Sequence, residues 1–198
     1  EAAAAIVEGA FAFAGQRCTA NRRVVVDATI YDALLEELIG ATAMISWGDP
    51  RDENTQVGPV ISSASGLRVQ AILERARSSA HRVITPLKRA NEQSGDQWVA
   101  PAIVCCDDPG AEIVLEETFG PALVVQRAEN WDEAVELCNG VKQGLVAALF
   151  STSPVLIDDF LRRAQAGILK INSSTADAAV DLPFGGWKAS GIGPPEHY

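Results

Sequence analysis

Histidine is nearly missing from this chain: there are two in 198 residues, His81 and His197. Neither lies near a pair of cysteines, and no C-x-x-C spacing occurs among Cys18, Cys105, Cys106 and Cys138. A structural or catalytic metal has no donor set here, so none is expected. Positive charge is also short. Sixteen Lys and Arg stand against 26 Asp and Glu, a net charge of −10, which leaves no basic face for nucleic acid or for an anionic membrane surface. Long apolar runs are absent too. Ala2 to Ala14 is too short to span a bilayer, carries Glu8 and lacks the basic leader of a signal peptide. A chain this long builds its own core without disulfides, so its thiols read as reduced and its compartment as the cytoplasm.

Familiar nucleotide and nucleophile motifs are missing as well. Gly185-Gly186-Trp187-Lys188 does not satisfy G-x-x-x-x-G-K-[ST], and Gly191-Ile192-Gly193 runs into Pro194-Pro195, which cannot open the helix that G-x-G-x-x-G requires. No G-x-S-x-G elbow occurs. The late glycines therefore read as tight backbone turns and not as a phosphate cradle.

What is present alternates short apolar runs with helical periodicity. Residues 1–14 predict an Ala-rich helix buried nearly all round and stopped by Gly15. Val24-Val25-Val26 predicts a strand buried on both faces, with Asp27 a cap or turn residue. An amphipathic helix is expected over Ile30 to Ile45, broken by Trp47-Gly48-Asp49-Pro50. The next is capped by Ser62 or Ser63, with Leu67, Ala71, Ile72 and Arg75 continuing its pattern. Strands are expected at Val83-Ile84, Trp98 to Cys106, Ala122 to Gln126, Leu145 to Phe150 (buried) and Gly167 to Ile171. Helices are expected at Asp132 to Asn139 and about Pro154 to Ala166, with a surface excursion over Lys88 to Gln97. Cys105-Cys106 ends a buried strand and Cys138 belongs to a core. The pattern predicts a layered α/β domain with a mostly parallel sheet flanked by helices, and no internal boundary.

Three loops carry the chemistry. In Phe13-Ala14-Gly15-Gln16-Arg17-Cys18-Thr19 a single cysteine stands beside Arg17, Arg22 and Arg23. Neighbouring cations favour the thiolate, the reactive form, so Cys18 is the candidate for covalent catalysis. The bland alternative is a small buried hydrophobe. Glu116-Glu117 before Thr118-Phe119-Gly120-Pro121 offers carboxylates to ribose hydroxyls, or is simply a solvated pair beside a turn. The third loop is Leu182 to Gly193. A papain-like partner for Cys18 would have to be His81 or His197, and neither sits in a motif that recommends it.

Taken together and in this order, the loops resemble the aldehyde dehydrogenase superfamily. Gly15-Gln16-Arg17-Cys18 resembles its catalytic-cysteine motif, Glu117 its cofactor-ribose glutamate, and Pro183-Phe184-Gly185-Gly186-Trp187-Lys188-Ala189-Ser190-Gly191 its late Gly-rich loop. Gly58-Pro59-Val60-Ile61-Ser62, and Ala166-Gly167 leading to Asn172, are weaker echoes. The resemblance implies oxidation of an aldehyde to a carboxylic acid with NAD or NADP through a thiohemiacetal and a thioester on Cys18. It implies that the Cys18 N–H helps hold the oxyanion, that Phe119 packs near the nicotinamide ribose and that Phe184 lines a substrate tunnel. It further implies a homo-oligomer. The family's Glu-Leu-Gly-Gly motif, which carries its general base, does not occur in this sequence; neither does its preceding cofactor domain nor the upstream oxyanion asparagine. Residues 1–198 are therefore read as the C-terminal catalytic portion, inactive alone as a dehydrogenase. Arg17 beside the nucleophile points to a carboxylate-bearing semialdehyde. The rival readings are a thiol-dependent esterase or acyl-transfer enzyme, and a non-catalytic domain that keeps the fold.

Overall fold

The computed structural model describes residues 1–87, 95–176 and 181–193. Most of the excursion expected over Lys88 to Gln97, and His197, lie outside the described residues. The two most continuous apolar runs become the centre of a four-stranded sheet. Ala102-Ile103-Val104 opens β3 (Ala102–Cys105) and Ala122 to Val125 opens β4 (Ala122–Ala128); all of these side chains are buried. The order is β1-β4-β3-β2, with β1 at Arg23–Asp27 and β2 at Arg82–Ile84. The β1–β4 and β4–β3 pairs are parallel and β3–β2 is antiparallel, so the mostly parallel sheet expected from the sequence is the one found.

Helices cover the sheet: α1 (Ala2–Phe11), α2 (Tyr31–Ala43), α3 (Ser63–Ser78), the single turn α4 (Glu112–Leu115), α5 (Trp131–Asn139) and α6 (Pro154–Arg163). Ile6, Val7, Ala10 and Phe11 of α1 share one core with Leu35 and Leu38 of α2 and with the central strands. Caps sit where Ser and Asn permit. The Ser62 hydroxyl accepts from the Ser65 N–H, and Asn130 and Ser153 do the same for α5 and α6. Asp27 is a turn residue, its carboxylate accepting from the Thr29 N–H.

Four expectations are corrected. The first helix is not buried all round: Ala4 and Glu8 face outward, because alanine is apolar enough to read as core yet small enough to sit at a surface. It also ends at Phe11, and Gly15 closes a separate 3-10 turn over Ala12–Gly15. Val24 and Val25 are only half-buried, since β1 is an edge strand. In α3 the inward residues are Val69, Ile72, Leu73 and Ala76, while Leu67 and Ala71 face out. Gly66 lies against the backbone of Asp96 and sets that rotation; a Cβ there would sit 1.9 Å from the Asp96 carbonyl. The strand expected to be buried at Leu145 to Phe150 is β6 (Val146–Leu149), which among the described residues pairs, in parallel, with β7 (Ile168–Ile171) alone and is half-buried throughout. A third pair, β5 (Gln143–Gly144) with β8 (Trp187–Lys188), is antiparallel.

Candidate active site

Between α1 and β1 the chain runs through Phe13, Ala14 and Gly15 at φ of +54°, +55° and +67°. For Phe and Ala this left-handed region costs about 1–2 kcal/mol each. The turn presses Gly15 onto the second loop, where a Cβ would meet the Gly120 carbonyl oxygen at 2.3 Å. Glycine is thus required by both its φ and its neighbour. Gln16 carries the loop's other tether: its Oε1 accepts from the Ile61 N–H at 3.0 Å, and its Nε2 donates to the Phe13 carbonyl. The faint motif Gly58 to Ser62 is therefore a buttress of the cysteine loop. Thr19 donates to the Ala176 carbonyl at 3.2 Å, and Asn21 donates to the Ile6 carbonyl while accepting from the Thr175 hydroxyl.

Cys18 itself is exposed. It stands between Arg17 and Ala20, which line a small cleft shared with Glu117, Thr118 and Phe119. The first two loops are thus brought together. Phe184 does not line that cleft; it lies half-exposed in the third loop. That loop is anchored by β8 against β5 and by Lys188, whose Nζ donates to the Asn139 and Val141 carbonyls at 2.6 and 3.0 Å.

The expected cluster of cations around Cys18 is dispersed. Arg22 donates to the Val114 and Glu116 carbonyls at 2.6 and 2.7 Å and to Gln143 Oε1. Burial, reinforced by Arg23, lowers its guanidinium to about 10. Arg23 turns the other way, donating to Gln126 Oε1 and to the Leu137 and Cys138 carbonyls. Arg17 lies 4.5 Å over the Phe13 ring. Sequence adjacency gives no side-chain direction, and each guanidinium has gone to a different partner. His81 is also elsewhere: its Nε2 lies 3.5 Å from Cys106 Sγ, so the histidine placed by the structure pairs with a buried thiol and not with Cys18. Cys138 is half-buried, and burial pushes its thiol up.

The two adjacent glutamates are separated by their partners. Glu116 pairs with Lys142 at 3.0 Å. Glu117 is exposed and, among the described residues, makes no hydrogen bond or ion pair. Phe119 between them and Gly120 is 42% exposed at φ +44°, its carbonyl accepting from Arg68. Among the described residues the buried Thr118 hydroxyl has no hydrogen-bond partner. Gln16, Asn21 and Arg22, which hold the site in shape, were not singled out as such from the sequence; for Gln16 the available signal was its place inside the cysteine motif.

The aldehyde dehydrogenase family model matches residues 1–197. Aldehyde dehydrogenase (NAD(P)+) 1 of Saccharomyces cerevisiae is 36% identical over 194 residues, covering 95% of this chain and 38% of the relative. The 1-pyrroline-5-carboxylate dehydrogenase 2 of Halalkalibacterium halodurans is 31% identical over 191 residues, 96% of this chain and 36% of the relative. The crystal structure of NAD-dependent aldehyde dehydrogenase from Sinorhizobium meliloti superposes with a TM-score of 0.90 at 34% identity, over 98% of this chain and 39% of that one. The chain spans about two fifths of the length of the relatives it matches. It belongs to the aldehyde dehydrogenase family.

Proposed function

We propose that Cys18 is the nucleophile of an NAD(P)-dependent oxidation of an aldehyde to a carboxylic acid, carried out by a protein of which residues 1–198 form the cysteine-bearing part. The observation that carries this reading is the meeting of the exposed cysteine's loop with a carboxylate left unpaired beside an exposed aromatic. Bond formation between Cys18 Sγ and the aldehyde carbon gives a thiohemiacetal. Loss of hydride leaves a thioester, and water cleaves it to the acid and the free thiol. Among the described residues the fold makes no use of the Cys18 backbone N–H, which leaves it available to an oxyanion on the same carbon.

NAD(P), when bound, supplies the hydride acceptor. The residues fit such a group: Glu117 offers an uncommitted carboxylate to ribose hydroxyls, and Phe119 offers a ring face beside it. Phe184 is assigned the substrate side on the resemblance of its loop. The resemblance supports a homo-oligomer for the intact enzyme, and the reading of its four thiols as reduced supports the cytoplasm; among the described residues no helix is long and apolar enough to cross a membrane.

The 198 residues alone are expected to reduce no measurable NAD(P) with any aldehyde, because the Glu-Leu-Gly-Gly general-base motif does not occur in them. In the whole enzyme, Cys18→Ala is expected to abolish turnover and Glu117→Gln to raise the KM for the cofactor. Turnover that survives Cys18→Ala would refute the assignment.

A further inference from the structure

We infer that His81 and Cys106 form, with the Asp108 carbonyl oxygen, an open site for a thiophilic divalent cation of the zinc class. The sequence hides it, since the two side chains belong to residues 25 apart in no metal-binding spacing. Strand pairing brings them together. β2 runs antiparallel to β3 with Arg82 opposite Cys105, so one step further sets His81 opposite Cys106. Alternation sends Cys105 to the other face, where it meets Tyr31. Cys106 is buried and His81 half-buried, so the imidazole marks the side nearer solvent. The Cys18 and Glu117 loops enter the amino ends of β1 and β4, whereas Cys106 follows the carboxyl end of β3, parallel to both through β4. The site therefore stands apart from the proposed catalysis and does not depend on it.

The donors are spaced as a metal requires. Cys106 Sγ lies 3.5 Å from His81 Nε2 and 3.7 Å from the Asp108 carbonyl oxygen. A tetrahedral zinc ion, with Zn–S about 2.3 Å and Zn–N or Zn–O about 2.1 Å, sets its sulfur about 3.6 Å from each lighter ligand. Both separations match that edge. Without metal, the same lengths suit a thiol that donates to the carbonyl while facing the imidazole. With a dication, Cys106 gives its proton to solvent, Sγ and Nε2 turn lone pairs to the ion, and the imidazole proton stays on Nδ1. The carbonyl loses its donor and takes the cation instead. A thiolate with an imidazole selects zinc-like ions over magnesium or calcium. Asp107 and Asp108 are exposed beside the pair, and their charges favour the arrival of a cation. Among the described residues no three His, Cys, Asp or Glu side chains gather around one point, so the carbonyl is the third donor and water the fourth, as in open sites. The bound ion clips the three-residue edge strand β2 to β3 through side chains.

The test uses the purified chain carrying Cys18→Ala, which removes the exposed thiol as a competing ligand. Calorimetric titration with zinc is expected to show one ion per chain and release of about one proton. Cadmium should give a thiolate-to-metal absorption band. Zinc held about a hundred-fold above its dissociation constant should raise the melting midpoint by about 5–10 °C. His81→Gln and, separately, Cys106→Ser should each weaken binding by more than the about ten-fold that loss of an outer partner costs. Should the buried Cys106→Ser fail to fold, His81→Gln carries the comparison from a half-buried position. Absence of saturable binding overturns the inference. So does binding that His81→Gln leaves unchanged, which would put the ion on the exposed carboxylates. Neither result bears on Cys18 as nucleophile, which turnover tests separately.

Discussion

Gly15 and Gly120 meet backbone to backbone, so closely that a Cβ on the first would lie 2.3 Å from the carbonyl oxygen of the second. This contact joins the cysteine loop to the loop that bears Glu117 and Phe119. Gly15→Ala therefore incurs both a steric clash and the penalty of a φ of +67°. A loss of about 2–4 kcal/mol in urea unfolding is expected, against a gain of about 0.5–1 kcal/mol for Gly40→Ala, which lies inside α2 where a Cβ meets nothing within 4 Å. Equal losses at the two positions would remove the special role of the contact.

Arg22 is a brace between the segment after α4 and β5. Truncating it strands the Val114 and Glu116 carbonyls and the Gln143 amide oxygen. Arg22→Met is expected to cost about 3 kcal/mol in equilibrium unfolding. Arg22→Lys should recover less than half of that, because one ammonium cannot replace the two-nitrogen fork. Full recovery by lysine would show that charge alone matters there.

The four thiols should separate in reactivity. Cys18 is exposed, while Cys106 is buried and Cys138 half-buried, and burial pushes both of those thiols up. Limited iodoacetamide at neutral pH is expected to label Cys18 at least about ten times faster than Cys106 or Cys138, as read by peptide mass spectrometry. Comparable labelling of all three would contradict the exposure described.

A simpler electrostatic check lies far from the site. Asp49 accepts from the Arg51 N–H and guanidinium, and these hydrogen bonds hold its carboxyl down to about 2 from an ordinary 3.8. A depressed carboxyl contributes stability above its unfolded value and loses it as pH falls through the folded one. The contribution is therefore intact above about 3.8 and disappears toward 2; both side chains are well exposed, so it is small. Carboxyl carbon NMR should find the midpoint near 2, returning toward 3.8 in Arg51→Ala.

Central strands are the easiest part of this fold to read, because Ile103-Val104 and Leu123-Val124 are apolar without interruption and belong between layers. A cap at Ser62 or Ser63 was legible for a local reason, a hydroxyl reaching three residues ahead, and the structure selects Ser62. The face of α3 was not, since its rotation is set by Asp96 on another part of the chain. The site divides in the same way. Cys18 and Glu117 stand in motifs that the sequence displays, but which of the paired glutamates stays free depends on Lys142, which takes Glu116. Likewise Arg17, Arg22 and Arg23 form one cluster on paper and three separate contacts in space. The left-handed passage at Phe13 and Ala14 opposes their local preference, so only packing against Gly120 makes it intelligible.

That dependence on distant partners also gives the cysteine loop a history. Arg22 finds the Glu116 carbonyl 94 residues further on, and Thr19 finds the Ala176 carbonyl 157 residues further on. A ribosome adding roughly 5–20 residues per second needs on the order of ten seconds to supply them. Until then Cys18 stands on a nascent chain without these contacts on its loop and without the cleft beside it. The surroundings of Cys18 are completed by residues that emerge long after it.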